Sequence, residues 1–171
     1  MTILGALIAG GQSRRFGSDK ALALWAGQTL MDHALAALRD CTDELIVCGR
    51  SWSGAASVTD RPVAGLGPLG GLNAALHHAE ATGHALVLCT PVDVVPLWPN
   101  VLHLLRHDGP AVIAEQHVIG LWPSSMASAL DAYLADGQRS VRGWIQSSAA
   151  KDISQCTPMH NINYIYDLNG S

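Results

Sequence analysis

A pair of glycines and three basic side chains lie close together near the start of the chain, in the segment IAGGQSRRFGSDKA at residues 8–21. The basic residues of this segment are Arg14, Arg15 and Lys20. Gly10 and Gly11 carry no Cβ, so their backbone N–H groups can approach an anion closely. The nearby cations would neutralise a triphosphate. The spacing is not that of a P-loop, and a surface turn with solvated arginines is the alternative interpretation.

A carboxylate stands at a second position suited to phosphate chemistry. Asp93 follows the continuously apolar stretch ALVLC and Pro91, where a buried strand is expected to end. A carboxylate beside a phosphate-binding loop can hold Mg²⁺. The alternative is an aspartate that only makes turn hydrogen bonds. The pattern therefore predicts Asp93 as a metal ligand.

Another glycine cluster, GLGPLG at residues 65–70, matches the G-x-G-x-x-G pattern of dinucleotide-binding proteins. Asp93 follows at roughly the spacing of a ribose-binding acid, which would indicate an NAD(P)-dependent oxidoreductase. The polar stretch TDRPVA precedes the cluster in place of a buried strand, and Pro68 lacks an N–H group. These two features make the oxidoreductase the weakest alternative.

The elements that must position these residues follow an alternating pattern. Apolar runs predict strands, and stretches with helical spacing predict helices between them. The predicted strands are 3–8, 44–48, a run within 84–93 and 110–115; the predicted helices are 30–39, 72–81, 100–108, 124–137 and 139–148. The alternation favours a Rossmann-like three-layer α/β/α fold with a mostly parallel sheet, as one domain over residues 1–171. Gly10, Gly11, Gly49 and Asp93 then lie at the carboxyl ends of strands, where such sheets bind ligands.

Composition excludes several classes of protein. Of the 171 residues, 49% are hydrophobic and 14% are charged, and the formal net charge is −4, so a basic nucleic-acid-binding face is not expected. No apolar run reaches the roughly 18–20 residues that span a bilayer, and the first residues lack a basic signal region. The four cysteines form no C-x-x-C pair. We expect a cytoplasmic protein with no nucleic-acid or membrane partner.

The order of the motifs resembles the molybdenum cofactor guanylyltransferases, a family of MobA-like nucleotidyltransferases. IAGGQSRRFGSDKALA is similar to the family signature L-A-G-G-x-S-x-R-x-G-x-D-K-A. TDRPVAGLGPLGGLNAAL, ALVLCTPVD, YLADGQRSVRGWI and HNINYIYDL resemble later family segments in the same order. The likeness implies a nucleotidyltransferase-type α/β fold.

The resemblance also implies a GTP site in the N-terminal part of the chain. Arg15, Lys20 and Asp93 match catalytic positions, with Arg15 and Lys20 on the phosphates and Asp93 on Mg²⁺. Asp60 matches the aspartate that accepts from the guanine base. Backbone contacts to the nucleotide are implied for Ile8, Ala9, Gly10 and Gly11.

The C-terminal part corresponds to the molybdopterin side of the family. Asn161 and Asn163 match asparagines associated with molybdopterin, and Arg139 matches an arginine suited to its terminal phosphate. The implied reaction transfers GMP from GTP to molybdenum-loaded molybdopterin and releases pyrophosphate. A monomer is expected, and the further partners implied are other molybdenum cofactor maturation proteins and target apo-molybdoenzymes.

The sequence departs from the family pattern in several places: NINYIYDL lacks the Thr-Pro-Glu that normally follows the asparagines, the segment 109–120 is short, and two single positions differ. Gly49 stands where an asparagine is common, which predicts a lost amide contact to the nucleotide. Pro96 stands one residue later than the usual proline after the metal-binding aspartate. Two alternatives therefore stay open: a sister nucleotidyltransferase that uses CTP or another acceptor, and a GTP-binding homologue without turnover.

Overall fold

The computed structural model describes residues 1–11, 19–94, 99–154 and 162. In this part of the chain the main sheet has seven strands in the order β5-β4-β1-β6-β8-β7-β9, and β2 and β3 form a separate hairpin. The strands are β1 Ile3–Ile8, β2 Leu24–Trp25, β3 Gln28–Thr29, β4 Glu44–Cys48, β5 Ala56–Val58, β6 Leu86–Pro91, β7 Ala111–Ile113, β8 Gln116–Pro123 and β9 Lys151–Ile153.

One strand of the main sheet runs against the others. The pairs β1–β4, β1–β6, β4–β5 and β7–β9 are parallel, whereas β8 pairs antiparallel with both β6 and β7. A tight turn joins β7 to β8, and Glu115 in that turn has φ +65°. A short turn can join only antiparallel neighbours, because a parallel pair needs a long crossover. The predicted mostly parallel sheet is confirmed.

Helices cover both faces of the sheet. They are α1 Leu30–Arg39, α2 Pro68–Thr82, α3 Val101–Leu105, α4 Ala127–Ala135 and α5 Val141–Ser147. Alternate residues of β1 point to opposite faces: Leu7 packs with α1 and α3, and Leu4 packs with α2, α4 and α5. The two buried clusters confirm the predicted three-layer α/β/α arrangement.

The helix α2 begins at Pro68, earlier than the predicted start at Leu72. Proline is well accepted in the first turn of a helix, where its missing N–H group has no intrahelical acceptor. Gly70 and Gly71 of this helix have no side chain at points where neighbouring segments lie close to it. A Cβ on Gly70 would lie 3.2 Å from Asp60 Cβ, and one on Gly71 would lie 3.1 Å from Ile8 Cδ1.

Other predicted elements are shorter in the structure or begin differently. The predicted helix 100–108 is only the five-residue α3, and the helix predicted from Ser124 opens with a 3-10 turn at Ser124–Met126 before α4. Within the described ranges, no helix is long and apolar enough to cross a membrane.

The strand order reverses direction beside β1. The chain passes from β1 through α1 to β4 on one side, and β6 lies on the other side of β1. The loops that leave β1 and β6 therefore diverge at the carboxyl edge of the sheet. Such a divergence opens the crevice in which α/β proteins bind ligands.

Candidate active site

A cleft of about 440 Å³ opens at this edge of the sheet. We call its wall from β1, β4, β6, the loops beside them and the start of α2 the β1 side. We call its wall from the β7–β8 turn and the start of β8, residues 115–118, the β8 side. The β1 side is lined by Ile8, Ala9, Gly10, Gly11, Asp19, Lys20, Ala21, Arg50, Asp60, Gly67, Pro68, Pro91, Val92 and Asp93.

The two residues with the strongest sequence signal for phosphate chemistry meet in this cleft. Lys20 Nζ lies 3.1 Å from Asp93 Oδ2, and their side chains are 16% and 25% exposed. Lys20 opens a short 3-10 helix, Lys20–Leu22, whose Ala21 is buried in the core. A cation and a carboxylate are thus presented together in a partly desolvated cleft, where each would act strongly on a phosphate and a metal ion.

A second charge pair lies beside the first. Arg50 Nη1 donates to Asp19 Oδ1 over 2.9 Å, and its Nη2 donates to Oδ2 of the same carboxylate. The Arg50 guanidinium holds the pKa of Asp19 below its usual range, and Asp19 in turn raises the pKa of Arg50. Asp19 also accepts from the Ala21 N–H over 3.2 Å and so caps the 3-10 helix that contains Lys20.

The turn after β4 approaches the turn after β1 with no room for side chains. Gly49 has φ +84°, and a Cβ built on it would lie 2.5 Å from Gly10 Cα. A Cβ on Gly10 would lie 3.2 Å from Asp60 Oδ2. The glycine at position 49 is therefore required by the close backbone approach, and an asparagine would not fit this backbone.

Asp60 lies behind these glycines with a half-buried side chain. Desolvation raises its pKa above the usual value, and the backbone N–H of Gly65 counteracts part of that rise. Asp60 lines the cleft together with Gly67 and Pro68 at the start of α2. A carboxylate in this setting can accept hydrogen bonds from a ligand.

The β8 side consists of Glu115, Gln116, His117 and Val118. His117 Nε2 lies 3.3 Å from Asp152 Oδ2 on β9. The left-handed φ of Glu115, +65°, is uncommon for a residue with a side chain and places this turn at the mouth of the cleft. This wall thus offers a carboxylate, an amide and an imidazole.

The structure brings most of the predicted site residues together. Those that line the cleft are Ile8, Ala9, Gly10, Gly11, Lys20, Asp60 and Asp93. Arg15, Asn161, Asn163 and Pro96 lie outside the described residues. Ile162 is described: it is buried, and its N–H donates to the Asp93 carbonyl over 2.8 Å.

Arg139 has a different setting from the other predicted residues. It does not line the cleft, and its Nη1 donates to the Leu134 carbonyl at the end of α4 over 2.7 Å. An arginine that bonds the last carbonyls of a helix stabilises that helix end. This contact gives Arg139 a structural partner in the described part of the chain.

Sequence reasoning did not assign Asp19, Arg50, Glu115 or His117 to the site. Asp19 directly precedes Lys20 in the D-K-A motif, which was the available signal. Arg50 follows Gly49 at the end of a strand, a position where ligand-binding residues are common. The β8-side residues had no such signal, because they lie in the turn before β8 and at the start of β8, a strand that was not predicted.

Comparison with known proteins finds one matching family model. The MobA-like NTP transferase domain model matches residues 5–153. The molybdenum cofactor guanylyltransferase of Sinorhizobium fredii is 35% identical, over 84% of this chain and 74% of that protein. The molybdenum cofactor guanylyltransferase of Acidiphilium cryptum is 31% identical, over 96% of this chain and 91% of that protein.

Solved structures share the fold at low sequence identity. Molybdopterin-guanine dinucleotide biosynthesis protein A from Archaeoglobus fulgidus superposes with a TM-score of 0.70 at 17% identity, over 88% of this chain and 83% of that one. The 2-C-methyl-D-erythritol 4-phosphate cytidylyltransferase of Francisella tularensis gives 0.72 at 12% identity, over 99% and 97%. Because proteins named for different nucleotides share this fold, the fold alone does not select the base.

Proposed function

This chain belongs to the MobA-like NTP transferase family, as its sequence motifs predicted, and we propose that it transfers GMP from GTP to molybdenum-loaded molybdopterin. The products would be molybdopterin guanine dinucleotide and pyrophosphate. The observation that carries the proposal is the cleft at the carboxyl edge of the sheet, where Lys20, Asp93 and Asp60 converge. The relatives at 31–35% identity are named for this activity.

The triphosphate would lie against the turn after β1. Gly10 and Gly11 leave their backbone accessible, and the Lys20 ammonium would offset the charge that develops as pyrophosphate leaves. Arg15 is proposed for the same role from the sequence motif. The wall that carries Lys20 is partly buried, so its charge is less screened by solvent than a surface lysine would be.

Asp93 would hold Mg²⁺ in this site. Among the described residues, no group of three or more His, Cys, Asp or Glu side chains is placed to bind a metal. A single carboxylate nevertheless fits Mg²⁺, which commonly takes one or two protein carboxylates and completes its shell with substrate phosphates and water. When bound, the ion would neutralise charge on the α-phosphate.

Asp60 would select guanine. Its carboxylate can accept from both N1–H and the exocyclic amine of guanine, whereas adenine and cytosine lack that pair of adjacent donors. A Cβ built on Gly10 would lie 3.2 Å from Asp60 Oδ2, and one built on Gly49 would lie 3.0 Å from Asp60 Oδ1, so the two glycines leave room for this carboxylate. Ile8 and Ala9 would contribute backbone contacts to the same nucleotide.

The acceptor phosphate would attack the α-phosphorus in line from the β8 side. That phosphate is already an anion, so no protein nucleophile is needed, and positioning supplies much of the rate. We assign molybdopterin to the part of the cleft beside residues 115–118, with Asn161 and Asn163 as further candidates from the motif. Arg139 is a candidate from the motif alone, since it bonds the Leu134 carbonyl and does not line the cleft. We also propose a cytoplasmic monomer whose protein partners are other molybdenum cofactor maturation proteins and apo-molybdoenzymes.

Calorimetric titration with GTP, CTP, ATP and NADH, each with and without Mg²⁺, tests the nucleotide part. We expect selective GTP binding that Mg²⁺ strengthens, followed by pyrophosphate release when molybdopterin is added. Preference for CTP would indicate the sister activity, binding without pyrophosphate release would indicate an inactive homologue, and binding of NADH alone would refute the proposal.

The pH dependence of GTP binding tests the base contact. The protonated Asp60 cannot accept from guanine, so GTP affinity should fall as the pH decreases through its pKa, which burial raises above the usual value. Asp60→Asn should weaken GTP binding and remove this pH dependence. A wild-type pH profile in Asp60→Asn would contradict the assignment.

A further inference from the structure

Arg50 is the first member of a series of charged contacts along the β1 side of the cleft, which pairs Arg50 with Asp19 and Lys20 with Asp93. It follows Gly49, whose left-handed φ of +84° and lack of a side chain let the backbone turn sharply after β4. From there its guanidinium reaches Asp19, which is far away in the sequence, and pairs with both carboxylate oxygens. Both side chains line the cleft.

The pair has the geometry that fixes an arginine most firmly. A fork of two N–H donors on two oxygens sets both the distance and the plane of the carboxylate, which a single contact does not. The side chains are 29% and 37% exposed, so solvent screens the pair in part. Its main effect is therefore expected on orientation, with a small effect on global stability.

Asp19 transmits this orientation to Lys20. Its Oδ1 accepts from Arg50 and also from the Ala21 N–H, in the first turn of the 3-10 helix Lys20–Leu22. The Asp19 carboxylate is thus held from two directions at the residue directly before Lys20. The Lys20 amine in turn contacts Asp93 over 3.1 Å.

We propose that Arg50 is a positioning residue, which acts through Asp19 to hold the Lys20 amine against Asp93. Without Arg50, the contact that remains for the Asp19 carboxylate among the described residues is the bond from the nearby Ala21 N–H. The 3-10 helix would then lose its link to the turn after β4. The Lys20 amine would then sample more orientations. The role of Arg50 in turnover rests on the proposed function, whereas its effect on the Lys20 contact does not.

The lysine content of the chain allows a direct test. Lys20 and Lys151 are its only lysines, and Lys151 is exposed on β9, so it serves as an internal reference. Limited acetylation of the folded, nucleotide-free protein, read by peptide mass spectrometry, gives the ratio of the Lys20 rate to the Lys151 rate. Arg50→Met and Asp19→Asn should each raise this ratio by about threefold, the scale that a partly exposed pair supports.

Four further variants and assays sharpen the test. The double variant should give no larger ratio than either single change, because both break one contact. Arg50→Lys should give an intermediate ratio, since a lysine offers charge without the fork. Arg106→Met, an exposed arginine outside the cleft, should leave the ratio unchanged. Thermal unfolding confirms that each variant is folded.

An unchanged ratio in folded Arg50→Met or Asp19→Asn would overturn the proposal. In turnover, both variants should lower kcat/KM for GTP by a similar factor, through kcat more than KM. If Arg50→Met weakened GTP binding while Asp19→Asn did not, Arg50 would contact the triphosphate directly, and the positioning role would be wrong. Absence of GTP turnover in the wild-type protein would refute the proposed function alone, since the acetylation ratio needs no nucleotide.

Discussion

The two walls of the cleft are built in different ways. On the β1 side, segments that are far apart in sequence converge, and Lys20–Asp93 and Arg50–Asp19 tie them together over 3.1 Å and 2.9 Å. On the β8 side, the described lining residues are consecutive and come from the β7–β8 turn and the start of β8, with a 3.3 Å contact between His117 and Asp152 behind them.

This difference suggests that the two walls bind different parts of the substrates. The β1 side leaves little freedom, because glycines at positions 10 and 49 bring two backbones into contact and charge pairs fix the side chains above them. A wall of this kind suits a ligand whose reacting phosphorus must be placed accurately. The β8 side carries fewer constraints, and substitutions there should affect one substrate more than the other.

The largest effect, on turnover, is expected from substitutions of the paired residues Lys20 and Asp93. Asp93→Asn removes the negative charge that faces Lys20 and would hold Mg²⁺, so turnover should fall about a hundredfold, as expected when a metal's charge stabilisation of the transition state is lost. Lys20→Ala should lose at least about tenfold. Steady-state pyrophosphate release measures both, and circular dichroism checks that the fold is retained. Wild-type turnover in either variant would remove that residue from the mechanism.

A smaller effect, on stability, should distinguish a glycine of the β1 side that has no room for a side chain, Gly49, from one that has room, Gly11. Gly49→Ala adds a Cβ 2.5 Å from Gly10 Cα at a left-handed φ, which should lower the free energy of unfolding by about 2 kcal/mol. Gly11→Ala is the matched control, because a Cβ there meets no heavy atom within 4 Å, and it should cost less than about 0.5 kcal/mol. Equal denaturation midpoints would show that the two turns do not approach as closely as described.

The smallest effect is expected on the β8 side. His117→Gln keeps a polar side chain of similar reach but cannot carry positive charge beside Asp152. The KM for the molybdopterin acceptor should rise by about threefold while the KM for GTP stays constant, the scale of one exposed polar contact. Initial rates with each substrate varied in turn give both constants. A change confined to the KM for GTP would show that the nucleotide contacts both walls. The assignment of the two walls to different substrates would then be wrong.

The β1 side was largely predictable because its signals are local in sequence. Each of three local motifs predicts a site residue without knowledge of the rest of the chain. They are the glycine pair, the D-K-A motif and the aspartate after an apolar strand. The motif order also predicted the family, which the comparisons confirm. For Gly49, the prediction of a merely missing amide contact was incomplete, since the requirement for glycine comes from Gly10 in the adjacent turn after β1.

The β8 side was not predictable in the same way. Strand β8 was not identified because its residues follow a turn that lacks glycine and proline, where Glu115 adopts the left-handed conformation instead. The short edge strands β5 and β9 were also missed, because three-residue strands with exposed residues have no clear periodicity.

The sequence by itself determined the fold class, the family and the residues at the ends of the buried strands, because apolar periodicity and short motifs act over a few neighbouring residues. Only the tertiary structure decided which charges meet. Asp19 and Arg50, and Lys20 and Asp93, are distant in sequence and become partners because β1 lies between β4 and β6 in the sheet. Coulomb attraction and hydrogen bonding act over a few ångströms, so these partnerships exist only after the strands have been brought side by side.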